Sequence, residues 1–392
     1  MKNRNLLTLT GLVIIVMAMF FAMALPRADA QTSDPTGLPE LELFRGDDGA
    51  GIPEEVQYIG DSSTEPVVIK VIKYNGNSFD EAVVATAADA QAFVEEGYVT
   101  WIDVNGVHDE TVIEEFGEVF GLSPSVQQDI ANTTRLPHME DSNDYIFLSL
   151  EMLNKDFAID AAKLEQISLV LGKDYVISFQ ESDDNDFSSV YDRLVEKRGN
   201  IPEKGSDYLG FALVDTIVDS YFPAIDAMNE QVNVIEKKLI DSPNEELLES
   251  IYTIKREVTI GRQIIIPMRE IIYSLANYDY PLISPEIKDY YGITYENVDY
   301  LGNIIETFSN ITSDMVNFYI SIYGHDTNNL LKFLTIFTTI LFVLSFVAAV
   351  YGTDFSQFHA DEKRKRGHVI IVFVMIGLAV LLVMYFALAG WL

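Results

Sequence analysis

The chain has 392 residues, a formal net charge of −34 and no cysteine. An acidic excess of this size argues against nucleic acid as a partner and draws cations without selecting among them. The absence of thiols removes disulfides, thiolate metal sites and cysteine nucleophiles, and the length allows one sizeable soluble domain plus membrane helices, or two small domains.

Residues 1–30 carry the three parts of a secretory signal: Lys2 and Arg4, an apolar core over 6–23, then Pro26 and the small-residue site Ala28-Asp29-Ala30. Cleavage there leaves Gln31 as the new N-terminus, and an uncleaved anchor is the alternative. Either reading sends the following chain across a membrane. Residues 31–66, rich in Pro, Gly, Ser and Asp, read as a linker. Short β-rich runs at 67–74, 99–104, 145–152, 165–171 and 174–179 then alternate with helical stretches at 79–96 and 111–120, which indicates an α/β layer domain over 67–206. Residues 208–275 are helical, with a stop and restart at Asp241-Ser242-Pro243. A last helix, beginning near Ile293, continues without proline through Asn303, Asn317 and Leu331 into an apolar stretch. A helix of that length implies a stalk or coiled assembly, here within 207–332.

Residues 333–351 carry no charge and match the thickness of a bilayer's hydrocarbon core, so they read as a transmembrane helix; 369–388 read as a second. The segment between them, 352–368, holds Lys363-Arg364-Lys365-Arg366. Basic residues in a short loop mark the cytoplasmic side. Signal and loop therefore agree on an acidic domain outside and a basic loop inside. The fold class is an α/β soluble domain followed by a long stalk helix and two C-terminal transmembrane helices. On the first span, Leu331, Leu334, Thr338, Phe342, Ser345, Ala349 and Gly352 recur at intervals of three and four and share one stripe. Hydroxyls and small residues on a stripe suit helix packing, their commoner use, or the wall of a narrow pore.

Residues 332–355 resemble the first membrane helix of the CorA family of magnesium channels, which runs into a Tyr-Gly-Met-Asn-Phe signature. The signature here reads Tyr351-Gly352-Thr353-Asp354-Phe355. Residues 144–148, 165–172 and 175–180 are also similar to that family's cytoplasmic domain, so the resemblance runs from about Trp101 onward. It implies a homopentameric funnel, with membrane lipids and further copies of the chain as partners and no cofactor. It also implies passive flux of a divalent cation along the axis, magnesium first, with zinc, cobalt or another divalent ion as alternatives. The metal position it implies is Asp354, with Gly352 and Thr353, where the family's asparagines ring a hydrated ion. Five aspartates there would ionise together only with a bound cation, which predicts tighter binding and weaker selectivity. Against this stands a simple helix-end role for Thr353 and Asp354. Asn317 and Asn328, with Asn329 beside them, are possible pore-lining amides on the stalk. The family keeps its large domain in the cytoplasm, the reverse of what signal and loop indicate. A competing reading is a membrane-anchored extracytoplasmic binding or scaffold protein that retains the fold without conduction. His108, His138, His325, His359 and His368 lack ligand spacing, and no phosphate loop or nucleophile elbow occurs, so an enzyme is the weakest class.

Overall fold

The computed structural model describes residues 56–60, 66–153, 164–182, 187–241, 244–353 and 361–391. The expected signal segment with Ala28, Ala30 and Gln31, most of the expected linker, and Asp354 lie outside the described residues.

A seven-stranded sheet forms from β1 (Val68–Tyr74), β2 (Phe79–Val84), β3 (Val99–Asn105), β4 (His138–Asp141), β5 (Ile146–Leu153), β6 (Leu164–Leu171) and β7 (Tyr175–Gln180). Its spatial order is β2-β1-β3-β7-β6-β5-β4. β3 and β7 pair in parallel, and the other neighbours pair antiparallel. The runs read as strands from their apolar content are strands, and β5 is buried at every position. A strand covered on both faces loses the polar alternation of a half-exposed one. One face carries α1 (Ala87–Gln91), α2 (Glu110–Phe120) and α3 (Pro124–Ala131). Phe116, Val126 and Ile130 from these helices share a core with Phe147, Val170 and Phe179 of the sheet. α2 is delimited locally: the Asp109 carboxylate accepts from the Thr111 amide at 3.0 Å, and Gly121 ends it at φ 69°, a left-handed conformation that favours glycine.

The expected helix over 79–96 is corrected to a strand followed by a short helix. Asn75 builds the turn, its Oδ1 accepting from the amides of Asn77 and Ser78, and this returns Phe79–Val84 along β1 from Phe79 opposite Tyr74 to Val84 opposite Ile69. The alanines of this stretch favour helix, but pairing at a sheet edge overrides that weak preference. Helix begins only after Thr86, whose hydroxyl accepts from the Asp89 amide.

Past α4 (Ser188–Val195), the chain is helical: α5 (Ser206–Asp219), α6 (Tyr221–Asp241), α7 (Glu245–Asn277), α8 (Pro285–Thr353) and α9 (Asp361–Leu388). The break at Asp241 is as expected, and a second break at Ser220 was not. α5 lies on the sheet face opposite α2, where Leu171 approaches to 3.4 Å of where a Cβ on Gly210 would stand. On its other side Asp215 accepts from the Thr294 hydroxyl at 2.7 Å, and Asp207 accepts from the Ser284 amide at 3.1 Å. Two neutral donors thus tie α5 to the first turns of α8. Burial, with Asp207 and Asp215 nearby, pushes the Tyr291 phenol up, so it stays neutral in this joint.

α7 and α8 form a long antiparallel pair. Along α8, Ile287, Tyr291, Thr294, Val298, Leu301, Ile305, Phe308, Thr312 and Met315 are among the buried residues. Along α7 Leu247, Ile251, Ile254, Val258, Ile265, Met268, Ile272 and Leu275 are buried. The α8 set alternates steps of three and four, the spacing of a coiled-coil seam, and the α7 set follows the same rhythm. Each large aliphatic side chain so enclosed contributes roughly 1.5–3 kcal/mol relative to exposure. α8 begins at Pro285 rather than near Ile293, because proline suits the first helical turn.

Phe116→Ala should destabilise the soluble domain by roughly 3–5 kcal/mol, whereas Val83→Ala, at an exposed edge position, should be close to neutral. Chemical denaturation followed by the fluorescence of buried Trp101 measures both.

Candidate ion pathway

α8 is 69 residues long, a rod of about 100 Å at 1.5 Å per residue. Its seam with α7 fixes its rotation, and the other side carries a second line at the same steps of three and four: Tyr300, Asn303, Thr307, Asn310, Asp314, Asn317, Ser321, Gly324, Asn328 and Leu331, all exposed. From Asn303 to Asn328 this line contains amides, hydroxyls, one carboxylate and one glycine, with no apolar side chain. Asn317 and Asn328, expected as stalk amides, both lie on it. Thr307, Asn310, Asp314 and Ser321 also lie on it and were not singled out from sequence. Heptad spacing counted backward from Leu331 reaches these positions, and the seam with α7 is what distinguishes them as the uncovered side.

Among the described residues two helices are long and apolar enough to cross a membrane, within Pro285–Val350 and Val369–Leu388. In the first, Ile336 is buried and Ile340, Val343, Leu344 and Val347 are half-buried. This face packs along α9, the helix that α8 contacts in this part of the chain. Leu331, Leu334, Thr338, Phe342, Ser345 and Ala349 are all exposed. At about 100° per residue these two sets fall on opposite sides of the helix. The stripe read from sequence therefore points away from the second span. Within it, the Thr338 hydroxyl donates to the carbonyls of Leu334 at 2.8 Å and Thr335 at 3.2 Å. Its donor is committed to its own helix, so what the oxygen offers outward is lone pairs, the polarity that suits a cation or its hydration water.

The helix continues through Gly352 and Thr353; the side chain of Thr353 and all of Asp354 lie outside the described residues, so this expected ion position has no geometry here. α9 begins at Asp361. Lys363, Arg364, Lys365 and Arg366 therefore occupy the first turns of a helix, where a loop was expected. Among the described residues no three His, Asp or Glu side chains converge as metal ligands.

The family model described as "CorA-like Mg2+ transporter protein" matches residues 96–388. The chain belongs to this family. It is 32% identical over 342 residues to the cobalt/magnesium transport protein CorA of Thermotoga maritima, covering 87% of this chain and 97% of that protein. Among solved structures it is similar to the complete CorA magnesium transporter of Methanocaldococcus jannaschii, with TM-score 0.65 and 16% identity over 84% of this chain and 100% of that one. The cytoplasmic domain of ZntB from Vibrio parahaemolyticus shares the fold, with TM-score 0.52 and 12% identity over 66% of this chain and 99% of that one. CorA kinship accounts for the two apolar helices as spans of a multi-pass membrane protein.

The chain has no native cysteine, so single cysteines report exposure cleanly. Cysteines at Asn303, Asn310, Asp314 and Asn317 should react with a water-soluble thiol reagent at least ten times faster than cysteines at Val298, Leu301 and Ile305. Mass spectrometry of the labelled protein reads the difference.

Proposed function

We propose that this protein is a passive channel or transporter for divalent metal cations, magnesium first, working as a homopentamer in which α8 of each subunit faces a common axis. The observation that carries this reading is the continuity of one helix face. The polar line from Asn303 to Asn328 lies opposite the α7 seam and leads directly into the membrane stripe from Leu331 to Ala349, which lies opposite α9. Helix faces left without a partner inside the subunit meet their like when copies assemble around an axis. An axis lined by amides, hydroxyls and Asp314 offers oxygen atoms and carbonyl dipoles to a hydrated cation. Magnesium gives up its water reluctantly, so recognition by groups that bond to that water is the expected mode.

At the end of the span, Gly352 permits close approach of the helices, while Thr353 and Asp354 supply the mouth. Carboxylates from five subunits at that point repel one another until a divalent cation joins them. The proposal is thus of a mouth that binds cations more tightly, and with less discrimination, than a ring of amides. A cation of charge +2 gains about 4.6 kcal/mol per 100 mV on entering a negative interior, which supports uptake. The family match does not favour a scaffold without conduction.

Orientation rests on two kinds of observation. Residues 1–30 and the basic run Lys363–Arg366 support a domain outside the cell, and kinship with the ZntB cytoplasmic domain supports one inside. Single cysteines at Ser188 and, separately, at Ser356, treated in intact cells with a membrane-impermeant thiol reagent, separate the two. The charge pattern predicts labelling at 188 alone; labelling at 356 alone assigns the cytoplasmic placement instead.

For transport itself, Asp354→Asn should raise magnesium flux into vesicles and lower apparent affinity several-fold, and Asp354→Ala should lower affinity further. Thr338→Val, which keeps the shape but removes the lone pairs, should reduce flux several-fold while leaving thermal stability nearly unchanged. Absence of flux in every form, wild type included, would return the scaffold reading.

A further inference from the structure

Most acidic side chains of this chain are in water, but Glu151 is inside the sheet at 3% exposure. It sits in β5 with its carbonyl accepting from the Tyr221 hydroxyl at 2.8 Å, and two residues on, the Leu153 amide donates to Ser220 Oγ at 3.3 Å. These two bonds tie the end of β5 to the start of α6. The register places Gln166 of β6 directly opposite Glu151, on the same sheet face, with Cβ atoms roughly 4.5–5.5 Å apart. Ser149, also on that face, stands opposite Ser168.

The groups around Glu151 are unbalanced in one direction. Gln166 is 3% exposed and Ser149 1%, and Gln166 Oε1 and Ser149 Oγ are buried without hydrogen-bond partners. The amide of Gln166 cannot be turned round to cure this. Its Nε2 donates to the Asp129 carbonyl at 2.9 Å and to Ser168 Oγ at 3.3 Å, and a carbonyl only accepts. The charged neighbours do not supply a donor either. Glu181 accepts from the Gln166 amide at 2.9 Å and Glu165 accepts from the Ser182 amide at 2.8 Å. On the α3 side Asp129 is itself a carboxylate, and the Arg135 guanidinium and the His138 imidazole there are paired with it. Tyr221 of α6 has its hydroxyl proton on the Glu151 carbonyl. The surroundings of Glu151 thus contain an unfilled acceptor, two more carboxylates and, among the described residues, no cation bonded to its own carboxylate.

We propose that Glu151 is held as a neutral carboxylic acid whose O–H donates to Gln166 Oε1, and that loss of this proton to water as the pH rises loosens the β5 end that carries α6. The proton supplies the donor that Gln166 Oε1 lacks. The same conclusion follows from solvation: burial, then Glu181 and Glu165, push this carboxyl well above the ordinary glutamate value of 4.5. A resident metal is a poorer account, since no three acidic or imidazole side chains converge as its ligands among the described residues. The device would make the sheet-to-α6 connection, and through α6 its packing on α7 and α8, sensitive to pH.

The sign of the effect is fixed. Above 4.5 the unfolded chain releases this proton while the folded protein keeps it, so stability falls as pH rises until the folded carboxyl also ionises. In the full-length protein in detergent, wild type should lose Tm across that range by an amount that Glu151→Gln does not, the two converging in acid. Infrared difference spectra at neutral pH should contain the carbonyl band of a protonated carboxyl in wild type that Glu151→Gln lacks, and titrating that band in wild type alone reads the group without any variant. Parallel Tm profiles with no Glu151-dependent band would overturn the proposal. So would a rise in Tm on adding Mg2+ at neutral pH that appears in wild type but not in Glu151→Gln, because it would mean an ionised Glu151 holding a cation.

Discussion

The seam between α7 and α8 is the constraint on which the remaining architecture depends. Apolar residues at alternating steps of three and four bury one side of a 69-residue helix, and a rigid helix has no rotational freedom left once one side is taken. The opposite side is then committed to facing outward from the hairpin over its whole length. Because the helix runs unbroken into the membrane segment, the rotation set in the aqueous stalk is carried into the span. There α9 covers the same general role that α7 plays above it, occupying one side and leaving the Thr338–Ser345 side open.

Placement of polarity follows the same division. Thr294 and Thr312 are the hydroxyls inside the seam, both fully buried, and both have partners: Thr294 donates to Asp215 and Thr312 to the Phe308 carbonyl. On the open side, Asn303 to Asn328 needs no internal partner because water reaches it. The α/β domain is joined to this rod by α5, which packs on the sheet through Gly210 and Leu171 and on α8 through Asp215, Asp207 and the Lys204–Glu286 ion pair. A shift of the sheet therefore reaches α8 through hydrogen bonds and close packing, without passing along a flexible linker.

Three buried or half-buried acids of the α/β domain illustrate three solutions to the cost of enclosing a carboxyl. Asp103 accepts from Ser178, Gln180 and Asn105, a neutral cradle that also cross-ties β3 to β7, although burial still pushes its carboxyl up. Asp129 pairs with the Arg135 guanidinium and the His138 imidazole, and so joins α3 to the β4 edge. Among the described residues Glu151 has no donor or cation bonded to its carboxyl, and the retained proton proposed above is the third solution.

Strands β1, β3, β5, β6 and β7 were legible from sequence because a strand covered on both faces must be apolar almost throughout, and such runs stand out. Both membrane spans were legible for a related reason: lipid imposes a length and a lack of charge. The membrane stripe from Leu331 was legible because a helix has one period. β2, at the head of the alanine-containing run 79–96, was not, since its strand form comes from pairing with β1. The break at Ser220 was passed over, although Pro223 in the first turn of α6 is a signal for it. On the stalk, Asn317 and Asn328 could be named, but Thr307, Asn310, Asp314 and Ser321 could not be separated from ordinary solvated residues until the seam with α7 decided which side of α8 was covered. Glu151 shows the same limit from the other direction: a glutamate within an apolar strand is visible in the letters, while the donors and charges around it come from β6, the end of β7, α3 and α6. The sequence by itself determined the elements whose environment is uniform along their length. Only the tertiary structure decided which face of each is enclosed and what meets a buried group there, because those depend on residues far apart in the chain.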